Sequence, residues 1–79
     1  MRTIIEFRNG EQFCGVLELN NSALLNNGKA TLTIAEDIAQ SVMKHFEDSK
    51  VYADIYHQEI GTDVLDFVYR TQKDLDISK

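Results

Sequence analysis

The chain opens with two short runs in which apolar and polar side chains alternate. RTIIEFR (residues 2–8) and QFCGVLEL (residues 12–19) are rich in β-branched, aromatic and aliphatic residues, and Asn9-Gly10 lies between them. The pattern predicts two antiparallel strands joined by a tight hairpin. Loop length decides which side chains share a face. A two-residue loop of Asn9 and Gly10 puts Phe13 and Leu17 beside Glu6 and Arg8. A three-residue loop of Arg8, Asn9 and Gly10 collects Ile5, Phe7, Phe13, Leu17 and Leu19 on one face. The other face then holds Arg2, Ile4, Glu6, Gln12, Cys14, Val16 and Glu18. A slip of one residue moves every side chain across the sheet, so the segregated register is expected. Gly10 then takes the left-handed position of a type I turn with a bulge.

From Thr33 the period lengthens to that of a helix. Ile34, Ile38, Val42 and Phe46 recur with Ala35, Ala39 and Met43 alongside, and polar residues fill the opposite side. Thr33-Ile34-Ala35-Glu36 fits a capping box. The helix is expected over about 34–47. Strand-like patterns return at 51–57 and 64–71, around the loop QEIGTD. Val51, Ala53 and Ile55 make one inward face, and Leu65, Phe67 and Tyr69 its match. Residues 20–33 read as an irregular connection. It can hold a helical turn over Ala23–Leu25 capped by Ser22 and ended by Gly28, or a hairpin tip at Asn27-Gly28 with a short strand over Ala30–Leu32. The tail, 72–79, has no consistent period and is expected to fray.

The sum is a ββ-α-ββ order, hence a two-layer α+β domain: an antiparallel sheet with one amphipathic helix on one face. A chain of 79 residues holds one small domain. Its 43 % hydrophobic and 27 % charged residues are too apolar a mixture for a disordered chain.

Charge changes the functional picture. Residues 1–35 sum to zero, while residues 36–79 carry ten acids against five bases and supply the whole net charge of −5. Direct nucleic-acid binding, which gains affinity by neutralising phosphates, is disfavoured. An acidic half suits a basic protein partner or simply solubility. Cys14 is the single cysteine, and no apolar run approaches the ~20 residues of a membrane span. With no signal-peptide pattern, a reducing, cytoplasmic setting is expected.

Catalytic chemistry finds little footing. Cys14, His45 and His57 lack zinc-site spacing, and both histidines are expected at the surface. Cys14 lies mid-strand with nothing local to activate it. No glycine cluster cradles a phosphate. No catalytic, metal or cofactor residues are assigned.

What remains is a surface. The outward face is expected to gather Tyr52, Asp54, Tyr56, Val64, Asp66, Val68 and Arg70, with Ile4, Cys14 and Val16 from the first hairpin. A solvated sheet face is normally more polar, and Tyr and Arg are enriched at interface hot spots. The reading is a non-enzymatic protein-binding module, an acidic inhibitor or modulator that occupies a basic surface of a larger protein, a nucleic-acid-binding site being one version of it. Such small acidic proteins are frequent among phage and mobile-element products, by analogy only. The alternative is a homodimer that uses the open face as its own interface.

Overall fold

The computed structural model describes residues 1–20 and 31–74. Strands β1 (Arg2–Asn9) and β2 (Gln12–Asn20) form the first hairpin, helix α1 (Thr31–Met43) follows, and β3 (Tyr52–Gln58) and β4 (Asp66–Gln72) form the second. The four strands make one antiparallel sheet in the order β2-β1-β3-β4. The expected α+β architecture is the one observed.

The helix lies over β3 and β1, the two central strands. Ala35, Ala39 and Met43, one turn apart, are fully buried against Ile5, Phe7, Ala53 and Ile55. The two alanines let the backbone settle close to the sheet. Ile38, Val42 and Phe46 pack along the flanks of this line. Burying large side chains such as Phe7, Ile5, Met43, Val51 and Ile55 stabilises the fold by roughly 1.5–3 kcal/mol each before chain entropy is counted.

Helix α1 starts and ends earlier than the pattern predicted. Thr33 lies within it, and no capping box forms, because the Glu36 carboxylate faces β4 instead. It accepts hydrogen bonds from the hydroxyls of Tyr69 and, at 3.1 Å, Thr71. Gln40, one turn on, donates to Thr71 Oγ1 at 2.9 Å and to the Gln72 carbonyl at 2.6 Å. A polar strap thus ties the helix to the sheet edge. Past Met43 the chain tightens, with i→i−3 bonds from His45 to Val42 and from Phe46 to Met43. That turn lays the Phe46 ring against Phe7 at 5.9 Å. Leu32 is helical and packs on the core, so the strand alternative over Ala30–Leu32 does not hold there. The helical-turn and hairpin-tip alternatives at Ser22 and Asn27-Gly28, like the end of the tail, lie outside the described residues.

The first hairpin differs from both expected loops. Asn9 pairs with Gln12, leaving Gly10 and Glu11 as a two-residue turn. Gly10 has φ 62° and is the only turn residue with positive φ, which fits a type II′ turn with glycine in its first central place. Two contacts pin the turn to the rest of the fold. Asn9 donates to Asp48 after the helix, and Tyr52 donates to the Gly10 carbonyl at 3.2 Å. The register then shifts at Phe7, which pairs with Gly15 and leaves Cys14 as the extra residue. Beyond this bulge Ile5 faces Leu17 and Thr3 faces Leu19, so the core face holds the residues expected there except Phe13. Phe13 pairs with Arg8 and lies on the Glu6–Arg8 side, while Cys14 packs against the core.

A second bulge does the same to β4. Tyr69 pairs with Ile55 and Phe67 with Tyr56, leaving Val68 as the extra residue. Val68 therefore packs on the core and Phe67 turns outward. Both were expected the other way round. Asp66 pairs with His57, on the helix side of the ladder, and Val64 and Leu65 precede the strand altogether.

Candidate functional site

The strand register lays the outer sheet face out as a grid. One row across the strands is Phe13, Arg8, Tyr52 and Gln72. The next is Val16, Glu6, Asp54 and Arg70, and the third is Glu18, Ile4, Tyr56 and Phe67. Of the residues expected on this face, the structure brings together Ile4, Val16, Tyr52, Asp54, Tyr56 and Arg70. It does not bring Val64, Asp66, Val68 or Cys14, the last two being the bulge residues that pack on the core. It adds Phe13 and Phe67, which simple alternation assigned to the core. A bulge beside each would have been needed to find them, and the only local hint is Gly15, a residue often placed at such irregularities.

The aromatic residues are open to contact. Phe13 is 54 % exposed and Phe67 58 %. Phe67 meets the Tyr56 ring edge-on at 5.7 Å. Arg8 lies 5.7 Å over Phe13, and Arg70 lies 4.0 Å over Tyr52. Ile4 is buried beneath its neighbours, although its strand position faces outward.

The charges on the face are paired among themselves. Arg8 Nε donates to Glu6 at 2.9 Å, Arg2 to Glu18 at 3.1 Å, and Arg70 Nε and Nη2 to the two oxygens of Asp54 at 2.6 and 3.1 Å. The fork of Arg70 on Asp54 is a bidentate carboxylate clamp. Asp54 is only 4 % exposed. These hydrogen bonds hold both guanidiniums above their usual range, Arg8 through Glu6 and Arg70 through Asp54. Burial, then the charges of Asp54 and Glu6, pushes the Tyr56 hydroxyl up. With three acids and three bases, the face sums to zero. Asp54 is therefore not a free acidic contact.

Three unpaired acids lie close together at one end of the sheet, while Glu11, Asp37, Glu47 and Asp74, also without a side-chain ion pair or hydrogen bond among the described residues, are scattered elsewhere. The loop from Gln58 to Asp66 carries Glu59, Asp63 and Asp66 and no base. Among the described residues none of these three has an ion pair or a side-chain hydrogen bond. The loop is ordered by a turn in which Thr62 N and Oγ1 both donate to the Glu59 carbonyl, with Gly61 at φ 90°. Beside the acids stand Ile60, Val64 and Leu65, with Ile60 81 % exposed at the tip. Met1 and Phe67 lie at the same end, next to the paired residues Arg2, Gln58 and Asn20. Of the seven exposed large apolar residues among those described, five gather here. A shallow recess of about 350 Å³ between Ile60 and the ends of β1 and β2 adds relief.

His45 is exposed, as expected. His57 is not: it faces Thr3 on the helix side, half-buried, and its Nε2 is withdrawn from solvent without a hydrogen bond. Among the described residues no three of His, Cys, Asp and Glu gather as metal ligands. No helix among them is long and apolar enough to cross a membrane. Comparison with known protein families, curated proteins and solved structures finds no match to this chain.

Proposed function

We propose that this protein is a non-enzymatic binding module, a small acidic modulator that holds a basic and partly apolar surface of a larger protein in a reducing, cytoplasmic setting. The observation that carries the reading is the crowding of Met1, Ile60, Val64, Leu65 and Phe67 around three unpaired carboxylates at one end of the sheet. Exposed apolar patches rimmed by charge are what protein contacts use. Carboxylates at the rim of an apolar patch raise the rate of encounter with Lys and Arg. On this reading the contact lies at the loop end, with the acids Glu59, Asp63 and Asp66, while Asp54 holds Arg70.

The test is capture of a partner from the native cell at low and moderate salt. Three baits are compared: the wild type, the double variant I60S/V64S, and the triple variant E59Q/D63N/D66N. A basic partner should be retained by the wild type, be lost with I60S/V64S, and lose its salt dependence with the triple variant. Equal capture by all three baits would refute the reading.

A further inference from the structure

We infer that the outer sheet face is a self-association surface, and that its occupant is a second copy of this chain. This inference does not rest on the loop-end reading above: the two surfaces share Phe67 at their margin and are otherwise different.

Charge selects the occupant. The chain carries −5 in all, yet the face sums to zero through Arg2–Glu18, Arg8–Glu6 and Arg70–Asp54. A basic partner gains nothing from a neutral face. Two copies of an acidic chain, which repel over most of their surface, can approach where no net charge opposes them. Closure also strands no ion, because each guanidinium keeps its own carboxylate. Burial is costly when it leaves a charge unpaired, and here none is left so.

Area supports the same occupant. Four strands about 4.8 Å apart and about eight residues long at about 3.3 Å per residue span roughly 500 Å² in projection. Two copies face to face therefore bury roughly 1,000 Å², increased by the relief of Phe13, Val16 and Phe67. That lies just below the roughly 1,200–2,000 Å² of stable specific interfaces, in the range of weak and transient ones. An interface of this size suits a weak dimer that forms only as protein concentration rises. Arg8 already lies over Phe13 and Arg70 over Tyr52, so the face offers rings and guanidiniums that are held before contact and have less entropy to lose.

The two surfaces have opposite salt signatures. A basic partner at the loop end dissociates as salt rises. Two copies at −5 each associate more tightly, because salt screens their repulsion. The experiment is sedimentation velocity of the full chain across protein concentration at two salt levels. The wild type is compared with F13D, V16K and I60S, and circular dichroism checks each fold. Phe13 and Val16 are exposed, so these changes spare the core. The expected result is a concentration-dependent dimer, tighter in salt, weakened roughly tenfold or more by F13D and by V16K and unchanged by I60S. A monomer at every concentration overturns the inference and leaves the loop-end reading standing. A dimer indifferent to F13D and V16K, or one lost with I60S, also overturns it, because the interface then lies elsewhere.

Discussion

Tyr69 should govern the alkaline stability of this fold. Its hydroxyl donates to Glu36, and its pKa is pushed up from 10 to about 12, first by burial and then by that hydrogen bond and the Glu36 charge. The ionised form is disfavoured in the folded state. A raised pKa contributes stability that is fully present below the unfolded value and is lost as pH rises through the folded one. Between about pH 10 and 12 the unfolded chain has released the proton and the folded chain still holds it, so stability falls with pH at up to ~1.4 kcal/mol per unit. The whole span would cost ~2.7 kcal/mol. Tyr69 is partly exposed and solvent screens its neighbours, so a loss of about 1–2 kcal/mol is expected.

The perturbation is Y69F. At neutral pH it removes one donor to a carboxylate that keeps Thr71, and should cost about 1–2 kcal/mol. Phenylalanine cannot ionise, so the gap between wild type and variant should close as pH rises above about 10, and near pH 12 the variant should equal or exceed the wild type. Urea unfolding of both proteins across this range measures the gap. The difference cancels the lysines and Tyr56, whose pKa burial also raises. A gap that stays constant to pH 12, or a Tyr69 that titrates at the value of a free tyrosine, would refute the reasoning.

Substitutions at two further positions probe the site and its scaffold. D54N should lower the urea midpoint, because Asp54 is buried and takes both Arg70 bonds; if Asp54 instead served a partner, binding would weaken with stability unchanged. G10A should cost of order 1 kcal/mol and G10N less, because φ is +62° and an added Cβ meets nothing within 4 Å. Equal stability of G10A and wild type would mean the turn relaxes out of the left-handed region.

The faces of the central strands were legible throughout, and those of the edge strands only on one side of each bulge. In RTIIEFR and YADIYHQ the period of two runs unbroken, and β1 and β3 present the expected faces: Ile5, Phe7, Ala53 and Ile55 inward, Glu6, Tyr52, Asp54 and Tyr56 outward. The helix was legible as an element and its sheet-facing residues with it. Its start was not, because Glu36 had a competing set of partners, Tyr69 and Thr71, far along the chain. No local capping rule weighs a bond across more than thirty residues. The pairing of Asp54 with Arg70 was hidden for the same reason. Both were read as outward, but nothing in a linear pattern said that the arginine would neutralise the carboxylate and take it out of the contact chemistry.

The two bulges show how the face acquired its character. Each extra residue, Cys14 or Val68, lies in an edge strand, which has a ladder on one side only. An insertion there disrupts one set of hydrogen bonds, whereas in β1 or β3 it would disrupt two. Continued without a bulge, the Ile5–Leu17 register would set Phe13 opposite Asn9, and the Ile55–Tyr69 register would set Phe67 opposite His57, both on the helix side. The bulges turn these two rings outward and send Cys14 and Val68 to the core in their place. The aromatic exposure of the sheet face is therefore a product of edge-strand irregularity and not of alternation. Restoring a regular ladder would remove that exposure while leaving composition nearly unchanged, which is why composition and period alone could not reveal it.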